Sequence, residues 1–153
     1  MLLKLRALLA ALWAGELLTV ALLAAPNAFA TLERGLAGQY VGRLFELDAR
    51  MALGAALLLI LLERRLQRDA QQPGSAMGWN LLLPLLALAL TVGGYYALQP
   101  MMAAAKAGQG SWSFAQLHAV SLGCYGLRLL VVLCLAWRVA PGLERITRPT
   151  TSS

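Results

Sequence analysis

The chain has 153 residues, of which 59% are hydrophobic and only 13% charged, with a mean hydropathy of +0.66. Too few polar side chains are available to cover a folded chain of this length, so a water-soluble globule is excluded and the bilayer is the missing solvent. The formal charge of +6 does not mark a nucleic-acid binder, because the 13 Lys and Arg lie in small groups between apolar stretches rather than on one patch.

Between residues 7 and 32 the single charge is Glu16, which predicts a first spanning helix near 3–24, ended by Pro26-Asn27. Lys4, Arg6, the apolar run and Ala28-Phe29-Ala30 also imitate the three regions of a cleaved signal peptide. The run's length and Glu16 at its middle favour a retained helix. The next apolar run, 51–62, reaches only about 18 Å of a hydrocarbon core of about 30 Å. Extending it back to about Val41 gives a span near 41–62, but draws Arg43, Glu46, Asp48 and Arg50 into or beside the membrane. The alternative is a half-buried re-entrant segment.

Gln71-Gln72-Pro73-Gly74-Ser75 reads as a polar turn, 78–98 as a span closed by Pro100, Gly108-Gln109-Gly110-Ser111 as a loop, and 114–137 as a last span. Charge bias decides the number of crossings. Lys4, Arg6, Arg64, Arg65, Arg68, Arg138, Arg145 and Arg148 fall on one side, against Arg34 and Lys106 on the other. This favours four helices with both termini cytoplasmic. The expected fold is all-α: an integral membrane four-helix bundle forming one domain over 1–140, followed by a short flexible cytoplasmic tail over 141–153.

At about 100° per residue, Phe114, His118, Ser121, Tyr125 and Arg128 form one polar stripe. Trp13, Glu16, Thr19 and Asn27 share a face of the first span, and Asn80, Pro84, Thr91 and Tyr95 a face of the third. On the second, Arg43, Glu46 and Arg50 cluster while Asp48 points nearly opposite. A partly polar interior is expected. Equal depth, about 14–15 Å from the outer helix ends, pairs Glu16 with Arg50 as a buried ion pair. The same counting sets His118 against Glu46 or Asp48, and places Arg128 nearer the cytoplasmic boundary, within reach of snorkelling. A Glu–Arg pair can simply join two helices, and a histidine can simply pack. His118 is nonetheless the residue on which proton chemistry would centre, as the sole imidazole, beside Ser121 at the mouth of the bundle. Trp79, Trp112, Trp137 and Tyr95-Tyr96 read as interfacial anchors. Gly38-x-x-x-Gly42 permits close helix approach.

Two cysteines exclude a disulfide scaffold, and Cys124 and Cys134 are separated by about 15 Å on one helix. No CxxC, HExxH, P-loop or GxGxxG string occurs, and Ser121 beside His118 lacks an oxyanion-hole signature, so nothing supports an enzyme. One chain offers a single histidine, which disfavours bis-histidine haem unless ligands come from another subunit. Met101 and Met102 with His118 offer thioether and imidazole donors of the kind cuprous copper accepts, although methionine in an apolar segment is ordinarily packing. No cofactor is required by the sequence.

Leu12-Trp13-Ala14-Gly15, Ala25-Pro26, Phe29-Ala30-Thr31-Leu32, Ala37-Gly38, Gly42-Arg43-Leu44-Phe45 and Phe114-x-x-Leu117-His118-x-x-Ser121 together resemble the domain-of-unknown-function 4149 family, also called transmembrane protein 205-like. The similarity runs over about residues 8–128. It implies a small four-helix membrane protein, and carries no biochemical activity from the bacterial members; animal relatives are linked to drug resistance and trafficking. An acidic residue at Asp48 and a tyrosine at Tyr125 match the family pattern, whereas Glu16 and Arg50 depart from it. The family is in turn distantly similar to copper resistance protein D and to protoporphyrinogen-oxidase-like four-helix proteins.

The function expected from these readings is a non-enzymatic role of an inner-membrane protein in transport, ligand binding or membrane interaction. It would use an inward cluster of Glu16, Glu46, Asp48, Arg50, His118, Ser121, Tyr125 and Arg128. The alternative is a copper-linked or haem-linked membrane protein. Expected partners are the lipid bilayer and another membrane protein or a second copy, not nucleic acid.

Overall fold

A computed structural model describes residues 1–69 and 78–141. The polar turn read at 71–75 and the tail beyond Pro141 lie outside the described residues. Among the described residues four helices make up the fold: α1 over Leu2–Thr31, α2 over Arg34–Asp69, α3 over Trp79–Lys106 and α4 over Phe114–Val139. No strand occurs among the described residues. Contacts run from α1 to α2, α2 to α3, α3 to α4 and α4 back to α1, so the helices close a ring around one core.

By length and composition α1, α3 and α4 can each cross a membrane. The 36-residue α2 is long enough, at about 54 Å, but its ionisable residues make it less apolar than its neighbours. It is held in the ring by an inner face of Ala37, Val41, Ala49, Ala52, Ala56 and Leu59. Alanines recur on the facing helices, with Ala7, Ala10, Ala14 and Ala87 buried beside Leu17, Val132 and Leu135. Small side chains bring helix backbones close where no hydrophobic effect drives association.

Two helices run further than punctuation suggests: α1 continues past Pro26 to Thr31, and α3 past Pro100 to Lys106. Each contains a π-helical turn just before the proline, Val20–Ala24 in α1 and Val92–Ala97 in α3. A proline inside an α-helix removes an N–H and its ring crowds the preceding turn; a widened turn lessens both conflicts. Single-residue breaker signals do not show such compensation.

The α3–α4 connection is made by Gly108 and Gly110, at φ of +74° and +95°, a backbone region that disfavours other residues. Ser113 then starts α4. Its Oγ accepts from the Gln116 backbone N–H at 3.2 Å, while the Gln116 side chain accepts from the Ser113 N–H at 3.0 Å.

Candidate functional site

Halfway along the ring, charge collects where the apolar faces meet. The Asp48 side chain from α2 accepts from the Arg128 guanidinium of α4 at 2.5 Å, and both side chains are only 3% exposed. Arg128 Nη1 donates to Thr91 Oγ1 of α3 at 3.2 Å, and the Thr91 hydroxyl donates onward to the Ala87 carbonyl at 2.8 Å. The guanidinium carbon lies 4.7 Å from the Tyr125 ring centroid, a cation–π arrangement. Tyr125 donates its hydroxyl proton to the Leu17 carbonyl of α1 at 3.0 Å and meets Phe45 edge-on at 5.2 Å between centroids. The Glu16 carboxyl, on α1, lies within electrostatic reach of both Asp48 and Arg128.

Helical register explains the convergence. Asp48 shares its face with Val41, Ala52 and Leu59, and Arg128 shares its face with Val131, Val132 and Leu135; all are buried. Packing of the apolar stripes therefore carries the charged residues inward. A buried charge left unpaired is expensive, and removing one partner of a buried pair costs about 3–5 kcal/mol.

Three polar atoms of this cluster, Glu16 Oε2, Asp48 Oδ1 and Arg128 Nε, are buried without a hydrogen-bond partner. Two carboxyls thus face one guanidinium. Two carboxyls can share a hydrogen bond only when one keeps its proton. With one proton the Glu16–Asp48–Arg128 group is electrically neutral; with none it carries a net negative charge into an apolar interior.

The other expected residues are placed differently. Arg50 does not reach Glu16. It donates to Glu46, which also accepts from Arg43 at 2.6 Å, and both arginine side chains are 59% exposed on the outside of α2. Asp48 and Arg50 are two residues apart, about 200° around the helix, so equal depth selected the wrong face. The inward acid is Asp48, and Glu46 belongs to the outer flank.

His118 is exposed and stacks on Phe114 at 5.7 Å, away from both Glu46 and Asp48. It stands about a quarter turn from the line through Leu117, Arg128 and Leu135 that faces the core. Ser121 and Tyr125, nearer that line, do turn inward. Arg128 does not snorkel; Asp48 holds it in the core.

Ser121 Oγ donates to the Gly94 carbonyl at 2.8 Å, so α4 reaches a backbone oxygen inside the π turn of α3. Its bond from Tyr125 to Leu17 likewise meets α1 close to the turn at Val20–Ala24. Neighbouring polar side chains satisfying perturbed helix backbone is a recurrent device in membranes. A further pair joins Arg6 of α1 to Glu63 of α2 at 2.5 Å, with side chains 12% and 9% exposed. Sequence reading missed it, although Glu63 lies four residues beyond Leu59 on the buried face of α2.

Copper or haem would need convergent donors. Met102 is buried while Met101 and His118 are exposed, and among the described residues no three His, Cys, Asp or Glu side chains are grouped to hold a metal. Cys124 and Cys134 are free thiols.

Apolar helices around a buried ionic cluster define a polytopic membrane protein. The model of the family described as "Domain of unknown function (DUF4149)" matches residues 8–111, and the chain belongs to that family. No curated protein and no solved structure matches the chain. The matched segment includes Glu16, Asp48 and Thr91; Tyr125 and Arg128 lie beyond it.

Proposed function

We propose that this protein is a non-enzymatic inner-membrane protein with a transport role, in which Glu16 and Asp48 share one proton beside Arg128 and form a membrane-embedded proton-binding centre. The observation that carries this reading is the imbalance of two carboxyls, the buried Asp48 and the half-buried Glu16, each with a buried unpartnered oxygen, against one buried guanidinium. Ionisable groups at such depth are costly and typically mark proton or substrate routes. Losing the shared proton sets two negative charges side by side between α1 and α2, which weakens their packing. Regaining it closes the contact. Proton binding is thereby coupled to helix separation, as an ion-coupled carrier requires.

The distribution of Lys and Arg supports cytoplasmic termini, with Lys4, Arg6, Arg64, Arg65, Arg68 and Arg138 at one end of the ring. The Arg6–Glu63 contact supports the start of α1 and the end of α2 lying at that same end.

The test is a pH jump applied to proteoliposomes adsorbed on a solid-supported membrane. Proton entry into a site within the bilayer displaces charge, so the wild-type protein should give a transient current that Glu16→Gln abolishes. A wild-type current no larger than that of protein-free liposomes, or an undiminished current in both Glu16→Gln and Asp48→Asn, would show that the cluster only joins helices.

A further inference from the structure

We infer that the outward face of α2 docks a transmembrane helix of a different protein, one that carries a carboxylate near the middle of the bilayer. The seam is Arg43, Glu46, Arg50, Gly54, Leu57 and Leu61, spaced at intervals of three and four residues along one flank of the helix.

Its depth follows from the contacts of Asp48. Asp48 meets Arg128, Arg128 meets Thr91, and Glu16 adjoins Asp48, and each of these partners stands near the middle of its own membrane-length helix. Glu46 and Arg50 are each two residues from Asp48, about 3 Å along the axis. Glu46 and Arg50 therefore sit at the central level of the three apolar helices, with Arg43 about 7.5 Å nearer the start of α2, on an exposed flank of α2 within electrostatic reach of Tyr95 of α3.

A lipid chain cannot solvate this group. Side-chain exposure is 59% for both arginines and 33% for Glu46, in a zone where ionisable residues almost always face protein or water. Anionic headgroups are about 15 Å from the level of Arg50, at the membrane surface. Below the charges the seam continues as exposed Gly54, with open space beside it, and exposed Leu57 and Leu61. A glycine followed by leucines suits a packed helix.

Charge identifies the occupant. Two guanidiniums share one carboxylate, leaving one positive charge unbalanced. A second copy of this chain brings the same surplus, because Glu16 and Asp48 are turned to the core and Glu46 is already engaged by both arginines. The missing negative charge must come from another protein, at the depth of Arg50.

The test places a photo-crosslinking amino acid at Leu47, exposed beside the seam, in the full-length protein in its native membrane. The expected product is an adduct with a different polypeptide whose cross-linked peptide, sequenced by mass spectrometry, is an apolar helix containing Asp or Glu. Arg50→Glu should reduce the adduct at least tenfold without changing the abundance or detergent elution profile of the protein, and replacing the partner's acid with arginine should restore it. The inference is overturned by adducts only with lipid or with a second copy, by an adduct that Arg50→Glu does not diminish, or by a partner peptide without an acid. It is also overturned if Arg50→Cys reacts with a membrane-impermeant maleimide as fast as a cysteine at Gly110, since the face would then line a water-filled crevice.

Discussion

Asp48 and Arg128, 80 residues apart in the chain, are joined by a charge-assisted hydrogen bond in which neither side chain is more than 3% exposed. This contact ties α2, the most polar helix of the ring, to α4 at the level where Glu16, Thr91 and Tyr125 also meet.

Breaking the pair from either side should destabilise the protein by about 3–5 kcal/mol, because the surviving partner is left charged and buried. Asp48→Leu and Arg128→Met should each show that loss in thermal unfolding in detergent. Together they should cost less than the sum of the single changes, because the double variant leaves no orphaned ion of the pair. Arg50→Gln, on the exposed face, should leave unfolding nearly unchanged.

Gly94 approaches Cys124 so closely that a Cβ added to it would lie 2.4 Å from the Cys124 Cβ. Gly94→Ala should therefore push α3 from α4 and disturb the Ser121 bond to the Gly94 carbonyl. Its yield as folded, monodisperse protein should fall severalfold and recover when Cys124 is also changed to Gly. Gly93→Ala, with open space beside it, serves as the tolerated control.

The spans of α1, α3 and α4 were legible because a bilayer demands long apolar runs, and such runs survive in composition. The polar residues of the centre were legible too, but not their partners. On α2, Arg43, Glu46 and Arg50 outnumber Asp48, and the count drew attention to the wrong face. The steadier signal was the alanine series of Ala49, Ala52 and Ala56, which lies with Asp48. Histidine chemistry likewise drew attention to His118, which stands exposed at the edge of its stripe rather than inside the bundle. The π turns before Pro26 and Pro100 arise from how neighbouring helices satisfy the backbone, and a lone segment carries no trace of that.

His118→Ala should leave both thermal stability and the pH-jump current within experimental error of wild type, since the ring contacts only Phe114 among the interactions resolved for it. A loss of current with the fold preserved would place proton binding at His118, near the start of α4, and contradict the centre we propose.

Tyr125→Phe removes the bond to the Leu17 carbonyl but keeps the ring under Arg128. A single interhelical hydrogen bond within a membrane protein averages about 0.6 kcal/mol, so Tyr125→Phe should lower unfolding stability by about that amount. Tyr125→Ala, which also removes the ring and its contact with Phe45, should cost several times more.

For the topology we propose, reporter fusions at Ser75 and Gly110 should read cytoplasmic and periplasmic, respectively. A periplasmic Ser75 would invert the orientation and the side from which protons reach the centre.

The shared proton is tested most directly by infrared spectroscopy of the purified protein at neutral pH, reading the carbonyl stretch of a protonated carboxylic acid. Wild-type protein should show this band, shifted when glutamate and aspartate are labelled with carbon-13. Glu16→Gln should lose it, leaving Asp48 ionised against Arg128, while Glu46→Gln should retain it. Absence of the band from folded wild-type protein, or its persistence unchanged in Glu16→Gln, would contradict a proton held between Glu16 and Asp48.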